Sequence, residues 1–266
     1  MLKKNATKEK LKVGQAAIGF RMDFTSPYIV EVLGSIGFDF VYFDLEHGPM
    51  SEESCQEMIR AAELVSLTPL VRVPTNDPGV TARFLDCGAM GIIFPHCNTK
   101  QDVQVAVKAV KYPPEGERGI GGRSLSLSAM PTADYVREAN KETMVIAMIE
   151  EVAALNNLPD ILTVDGLDVL WVGRLDFSLS SGIAGQVNDP VIQNAVSRII
   201  TEGRAAGKAV GVGAINIDEP DSVRNFRQQG AQFFALNTTS MLRSAARDLL
   251  KRINSEQGMG LARNIV

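Results

Sequence analysis

Apolar runs recur along the chain and alternate with longer segments of mixed apolar and polar residues. Short continuous apolar runs are typical of buried parallel strands, because helices cover both faces of a parallel sheet. Glycine often stands just before such a run, as expected where a helix stops and the chain turns back. Eight strands are predicted: Gln15–Met22, Phe38–Phe43, Pro69–Val73, Gly91–Pro95, Thr143–Ile149, Asp168–Val172, Ala209–Ala214 and Phe233–Leu236.

The segments between these runs have helical patterns and good N-terminal caps. Ser51, Thr99 and Asp189 stand at predicted helix starts, and Pro190 follows in the first turn. The predicted helices are Pro27–Ile36, Ser51–Ser66, Gly79–Cys87, Lys100–Val110, Thr132–Asn140, Ala153–Leu158, Pro190–Ala206, Pro220–Gln229 and Thr239–Asn254. Alternating strands and helices predict an α/β fold with right-handed crossovers. Eight strands in 266 residues suit one (β/α)₈ TIM-barrel domain spanning 1–266, with a core of about 14–250.

Two segments do not fit this regular alternation. The connection Tyr112–Thr132 is long and rich in Pro, Gly and Ser. Long connections inside compact domains are usually functional, so we expect this one to border the site. The segment Glu256–Val266 follows the last predicted helix, and we expect it to form an arm or an element exchanged between subunits.

Acidic residues stand where several apolar runs end. Glu150 follows the fifth predicted strand, and Asp176 closely follows the sixth. The active sites of parallel barrels lie at the carboxyl ends of the strands, and neighbouring strands are about 5 Å apart. Both carboxylates can therefore reach one Mg²⁺ or Mn²⁺ ion and leave its other positions to water and substrate. The alternative is that both acids only cap helices.

Two further charged residues are candidates for catalysis. His47 follows Asp44 and Glu46 at the second strand end, and an imidazole near neutral pKa suits proton transfer. The alternative for His47 is a solvated, hydrogen-bonded side chain. Arg72 lies inside an apolar strand, where a charge needs an anionic partner. That partner is either a protein carboxylate such as Glu46 or an oxygen of the substrate. We also expect His96, after the fourth strand, to line the pocket.

Composition and charge narrow the function classes. A net charge of −4 provides no basic field for nucleic acid or an anionic membrane, and the apolar runs are too short to span a bilayer. Three cysteines without metal-finger spacing argue against a zinc site or a disulfide framework. The polar start lacks the apolar core of a secretory signal, so we expect a cytoplasmic protein. No predicted strand ends in a lysine, which disfavours an imine-forming aldolase.

Several short motifs recur in a fixed order from about Gly14 to Leu250, and each motif alone is modest. They are Asp44–Gly48, Val71–Pro74 with Asn76–Asp77, Leu85–Ala89, Tyr112–Gly119, Met148–Glu150, Val172–Ser178 and Asn237–Thr239. Taken in order, these motifs resemble the HpcH/HpaI aldolase family of metal-dependent class II pyruvate aldolases. This family includes the 2-keto-3-deoxy acid and 4-hydroxy-2-oxo acid aldolases.

The resemblance implies a TIM barrel that reversibly cleaves a 4-hydroxy-2-oxo acid to pyruvate and an aldehyde. It implies that Glu150 and Asp176 bind Mg²⁺, Mn²⁺ or Co²⁺. Arg72 would stabilise the enolate oxygen of pyruvate. His47, helped by Asp44 or Asp86, would transfer the proton. Substrate contacts are implied for Arg72, Gly173, Arg174, Leu175 and Asp176, the last two through backbone N–H groups.

The resemblance also implies a homo-oligomer. It is a hexamer, built as a trimer of dimers, in which the C-terminal helix is exchanged between subunits and Asp86 acts across an interface. Two residues depart from the family pattern: Arg174 replaces a usual proline, and Met148 replaces a usual glutamine. We hypothesise that Arg174 recognises an anionic group on the aldehyde. Two alternatives stay open: a citrate-lyase-β-like acyl-CoA lyase and a non-catalytic barrel that binds small acids.

Overall fold

Eight parallel strands close into a barrel in chain order, with the last strand paired to the first. The structure is a computed structural model that describes residues 3–213, 215, 217–218 and 220–256. It confirms the predicted (β/α)₈ barrel. The strands are β1 (Ala17–Met22), β2 (Phe40–Asp44), β3 (Thr68–Arg72), β4 (Gly91–Phe94), β5 (Met144–Ile149), β6 (Val169–Val172), β7 (Ala209–Val212) and β8 (Phe233–Asn237).

Helices cover the outside of the barrel. Within the described ranges they are α1 (Ala6–Lys12), α2 (Pro27–Ile36), α3 (Glu52–Leu64), α4 (Pro78–Cys87), α5 (Lys100–Val110), α6 (Gly122–Ser126), α7 (Thr132–Glu142), α8 (Val152–Asn156), α9 (Leu158–Leu162), α10 (Arg174–Ser180), α11 (Pro190–Ala205), α12 (Pro220–Gln228) and α13 (Thr238–Glu256). None of the helices in these ranges is long and apolar enough to cross a membrane.

The predicted elements are confirmed with small shifts at their ends, where helices and strands commonly fray. Ala153–Leu158, predicted as one helix, is instead the two short helices α8 and α9. The sequence prediction missed α1, α6 and α10, each of seven residues or fewer. Such short helices show too little of the helical period to stand out. Ala214 and the segment after Glu256 lie outside the described residues.

The long connection Tyr112–Thr132 does not border the carboxyl ends of the strands within its own chain, which corrects the prediction. It joins α5 to α7, and α7 leads directly into the start of β5. Arg118 in this connection lines a cavity together with Thr68, the first residue of β3, and Met90, just before β4. The connection therefore lies at the amino ends of the strands.

Aromatic side chains fill the barrel interior. The rings of Phe40 and Phe233 stack with centroids 4.2 Å apart. The Trp171 ring meets Phe233 and Tyr42 edge-on, with centroids 5.4 and 5.2 Å away. Edge-to-face and offset contacts of this kind suit the charge distribution of aromatic rings. The interior is therefore packed, and Tyr42 and Trp171 form the floor of the space above it.

Polar contacts hold α1 against the amino ends of the strands. Asn5 caps α1, and its side-chain amide donates to the carbonyl oxygens of Met90 at 3.1 Å and Glu142 at 2.9 Å. Lys8 forms an ion pair of 3.0 Å with Asp168. Buried Lys111 donates to the Thr143 carbonyl at 2.8 Å, as Lys8 does. These contacts fix α1 at the end of the barrel opposite the strand carboxyl ends.

Lys111 makes the stability of the fold depend on pH. Burial, with the charge of Lys8 nearby, lowers the pKa of Lys111 to about 8. Between pH 8 and the ordinary lysine pKa of about 10.4, the folded protein releases a proton that the unfolded chain keeps. The free energy of unfolding is therefore expected to rise over this range, by on the order of 2–3 kcal/mol.

Urea denaturation between pH 7.5 and 10 measures this effect. Lys111→Met should remove the rise, whereas Lys108→Met, at an exposed position of α5, should keep it. Equal pH slopes in the two variants would contradict the role given to Lys111.

Candidate active site

A cavity of about 390 Å³ opens at the carboxyl ends of the strands, above Tyr42 and Trp171. Concave sites of this size at this end of a barrel commonly bind small molecules. Most of the residues predicted to take part in catalysis, metal binding or substrate binding line this cavity. They are His47, Arg72, Gly173, Arg174, Leu175 and Asp176.

Arg72 is held by two acids at the ends of β2 and β3. Its Nε donates to Asp44 Oδ1 at 2.9 Å, and its Nη2 donates to Oδ2 at 2.5 Å. Its Nη1 lies 2.9 Å from Glu46 Oε2. Burial alone would raise the pKa of Asp44, but the hydrogen bonds and charge of Arg72 outweigh it and lower that pKa. The expected protein partner, Glu46, is therefore present, and Asp44 is a second one.

Arg72 also lines the cavity, so it can pair with protein carboxylates and still contact an oxygen of the substrate. Nη1 lies 3.8 Å from the Sδ atom of Met148, which lines the cavity as well. The bidentate pair with Asp44 fixes the plane of the guanidinium. Arg72 is thus a positive charge of fixed orientation at the wall of the cavity.

Glu150 and Asp176 come close enough for their charges to interact. Glu150 directly follows β5 and is 2% exposed. Burial raises the pKa of Glu150 to about 7. The backbone N–H of His96 donates to Glu150 Oε1 at 2.8 Å and opposes this rise, whereas the negative charge of Asp176 adds to it. Asp176 is half-buried in the first turn of α10, rather than at the end of a strand.

The surroundings of Glu150 argue against a helix-capping role for it. The residue that caps α8 is Glu151, and its side chain makes no capping hydrogen bond. Gly173 passes so close that a Cβ there would lie 2.7 Å from Glu150 Oε2. Glycine at this position lets the chain after β6 approach the carboxylate.

His47 stands at the mouth of the cavity. Its side chain is 60% exposed, and its Nε2 lies 3.8 Å from Glu46 Oε2. Asp44 accepts a hydrogen bond from the backbone N–H of His47 at 3.3 Å, while its carboxylate binds Arg72. Asp44 therefore supports Arg72 and the backbone of the His47 turn.

Asp86 is not brought to this mouth within one chain. It is the second-last residue of α4, which returns from the carboxyl end of β3 to the start of β4. There it accepts a hydrogen bond of 2.7 Å from Arg118 Nη2. Asp86 and His47 thus lie at opposite ends of the same barrel.

Arg174 is buried and engages the segment after β7. Its Nε donates to the Gly213 carbonyl at 3.0 Å, and its guanidinium carbon lies 4.9 Å from the centre of the Phe226 ring. These contacts connect α10 to the segment between β7 and α12. They make Arg174 part of the wall of the cavity.

Sequence analysis did not single out Arg21 and gave His96 only a place at the pocket. His96 has a φ of 53°, in the left-handed region, and its Nδ1 lies 2.8 Å from Glu151 Oε1. Its Nε2 lies 3.4 Å from Glu46 Oε1. Burial alone would lower the pKa of His96, but Glu151, Glu150 and Glu46 raise it. Arg21 lies in the apolar run of β1, and the argument used for Arg72 would have found it.

Within the described parts of the chain, no group of three or more His, Cys, Asp or Glu side chains is arranged to enclose a metal ion. Glu150 and Asp176 could therefore supply a donor set of two carboxylates. Such a donor set leaves coordination positions open, which suits catalysis better than a purely structural role.

Comparisons with known proteins identify similar sequences and similar structures. The family model described as HpcH/HpaI aldolase/citrate lyase matches residues 18–246. A 4-hydroxy-2-oxo-heptane-1,7-dioate aldolase of Salmonella paratyphi C (strain RKS4594) is 34% identical over 266 residues, covering 98% of this chain and 99% of the relative.

Solved structures give the same picture. An HpcH/HpaI aldolase from Desulfitobacterium hafniense DCB-2 superposes with a TM-score of 0.85 at 28% identity, covering 93% of this chain and 96% of that one. The citrate synthase SbnG superposes with a TM-score of 0.83 at 31% identity, covering 94% and 98%.

The ion pair of Arg72 gives a prediction about stability. Asp44→Ala removes the bidentate partner of a buried cation, so the free energy of unfolding should fall by about 3 kcal/mol or more. Urea denaturation measures this loss. The control is Glu57→Ala, which breaks an exposed pair with Arg60 and should change stability by less than about 1 kcal/mol.

The double variant Asp44→Ala/Arg72→Met separates charge burial from loss of packing. It removes the buried guanidinium that Asp44→Ala leaves with Glu46 as its single close partner, and should therefore be more stable than Asp44→Ala alone. Equal losses for Asp44→Ala and Glu57→Ala would contradict the buried pair.

Proposed function

The chain belongs to the HpcH/HpaI aldolase/citrate lyase family, and from that premise we propose that it is a divalent-metal-dependent lyase. It reversibly cleaves a 4-hydroxy-2-oxo acid to pyruvate and an aldehyde. The observation that carries this proposal is the close approach of Gly173, at the start of the helix that bears Asp176, to the Glu150 carboxylate, beside a cavity that Arg72 and His47 line. The full-length aldolase relative supports the reaction class.

The carboxylates of Glu150 and Asp176 fit a Mg²⁺, Mn²⁺ or Co²⁺ ion. A buried acid with a raised pKa beside a second acid carries negative charge at a high cost in free energy, and a cation would offset that cost. When bound, the ion supplies Lewis-acid chemistry that withdraws electron density from the keto group of the substrate.

Arg72 stabilises the negative charge that develops on the former keto oxygen. Asp44 and Glu46 fix its guanidinium in advance, so little reorganisation is needed during the reaction. The carboxylate of the substrate binds the N–H groups of Leu175 and Asp176 in the first turn of α10. Gly173 keeps this turn close to Glu150, and Arg174 holds the wall behind it.

His47 handles the proton. In cleavage it accepts the proton of the 4-hydroxyl group while the bond between C3 and C4 breaks and the aldehyde carbonyl forms. The electron pair of that bond becomes the enolate of pyruvate, and C3 then takes a proton. In condensation the same steps run in reverse. The exposed imidazole at the mouth can exchange its proton with water.

The proposal includes a homohexamer, a trimer of dimers, with the C-terminal helix α13 exchanged between subunits beyond its first two turns, which line a cavity of their own chain. In such an assembly Asp86 orients the His47 ring of a neighbouring subunit, since the two residues of one chain lie at opposite ends of the barrel. The proposed location is the cytoplasm.

Two other functions compete with this one. A citrate-lyase-β-like acyl-CoA lyase would use the same two carboxylates. The cavity of about 390 Å³ lies toward the small end of the usual range for ligand sites, which favours small acids over a nucleotide-bearing thioester. A barrel that only binds small acids has no need for a proton-transfer group at its mouth.

Release of pyruvate from a panel of 4-hydroxy-2-oxo acids tests the proposed reaction. EDTA should abolish release, and Mn²⁺ should restore it. Glu150→Gln and Asp176→Asn remove metal ligands, so each should lower kcat/KM and the affinity for Mn²⁺ by at least about 100-fold. Calorimetry measures the affinity without turnover.

Glu138→Gln is the matched control, because Glu138 lies on α7 with an exposed partner, Lys141. Full activity after complete metal removal would refute the proposed mechanism. Release of CoA from an acyl thioester without any pyruvate release would assign the competing activity.

A further inference from the structure

A second cavity of about 360 Å³ adjoins the first. The two share Arg21, His47, Asn237 and Ser240. Because His47 lines both, the second cavity begins where the proposed reaction places the 4-hydroxyl group. The part of a substrate beyond C4 therefore extends toward Arg21 and the start of α13.

The acids that line the second cavity are already compensated. Asp23 accepts hydrogen bonds from Arg21 Nε at 2.6 Å, Asn237 Nδ2 at 2.9 Å and the Thr239 N–H at 3.1 Å. Asp44 is bound by Arg72. Burial alone would raise the pKa of Asp23, but Thr239 and Arg21 outweigh it and keep the acid ionised.

Within the part of the chain that the structure describes, one of the two arginines of this cavity lacks an acid partner. Arg21 pairs with Asp23, and its side chain is 34% exposed, with Nη1 at 3.7 Å from Asp44. Arg243 is the second arginine of this cavity, and it is exposed on α13. In the described ranges no ion pair joins Arg243 to an acid. A guanidinium without an acid partner beside a second guanidinium suits a monoanion such as a carboxylate.

We propose that Arg21 and Arg243 form a subsite for a carboxylate at the far end of the aldehyde half of the substrate. The inference rests on the proposed function, because it takes His47 as the boundary between the two halves. It assigns the substrate class as 4-hydroxy-2-oxo acids with a second, distal carboxylate. The dioate in the name of the Salmonella relative belongs to the same class.

This subsite replaces the hypothesis that Arg174 recognises the anion. Arg174 donates to the Gly213 carbonyl and lies over the Phe226 ring. Its guanidinium is therefore already engaged by the segment after β7 and by α12. Arg174 does not line the second cavity. Arg21 and Arg243 both do.

Binding of two uncleavable probes tests the subsite without turnover. 2-Oxoheptanedioate and 2-oxoheptanoate lack the 4-hydroxyl group and differ only in the distal carboxylate. Calorimetry of the Mn²⁺-loaded protein should show about tenfold tighter binding of the dioate. Arg243→Gln and Arg21→Gln should each reduce this preference severalfold, and the double variant should remove it.

The controls separate this role from a general structural one. Arg247→Gln, one turn further along α13 and exposed, should keep the wild-type preference. Arg243→Lys retains the charge and should keep a larger part of the preference than Arg243→Gln. In catalysis, Arg243→Gln should lower kcat/KM for a 4-hydroxy-2-oxo dioate far more than for its terminal amide.

Three results would overturn the subsite. One is equal affinity of the wild-type protein for the two probes. Another is a preference unchanged in the Arg21→Gln/Arg243→Gln double variant. The last is a preference that only Arg174→Gln removes. Failure of the proposed function would differ from these results, because the probes test binding even if no 4-hydroxy-2-oxo acid is cleaved.

Discussion

The burial of the Glu150 carboxylate beside the helix that carries a second acid, Asp176, is the constraint on which the account of this protein depends. Burial opposes the ionisation of Glu150, and Asp176 makes it less favourable still. A fold gains nothing from such an arrangement unless a cation or a reaction uses it. Gly173 supports the arrangement, because any side chain there would collide with the Glu150 carboxylate.

Some of the acids around this pair are bound to an arginine and others are not. Asp44 and Glu46 hold Arg72, so their negative charge orients the guanidinium of this arginine. Glu150 and Asp176 have no arginine or lysine of their own among the recorded ion pairs of the described residues. The barrel thus places Arg72 and Asp176 on one small cavity and buries Glu150 close to the start of the helix that carries Asp176, an arrangement that suits the proposed enolate chemistry.

The sequence predicted the barrel well, because its signal is local. Each buried strand is a continuous apolar run, and each long helix shows its period and its cap. The short helix α10 was missed, so Asp176 was expected at a strand end and lies instead in a first turn. The expectation that Glu150 and Asp176 lie near each other came from strand order alone.

Other parts of the site depend on contacts between distant segments, which a single sequence does not display. Nothing local to Arg174 indicates that Gly213 and Phe226 would engage it. Asp86 belongs to a family motif, and only the fold shows that it lies at the other end of the barrel. His96, Glu46 and Glu151 belong to three separate loops, and only the fold brings them together.

Anomalous diffraction from crystals soaked in Mn²⁺ tests the central claim most directly. The account predicts one strong peak about 2.2 Å from a carboxylate oxygen of Glu150 and an oxygen of Asp176. Its remaining coordination positions should face the cavity lined by Arg72. An absent peak, or a peak bound by His96 and Glu151 instead, would contradict the account.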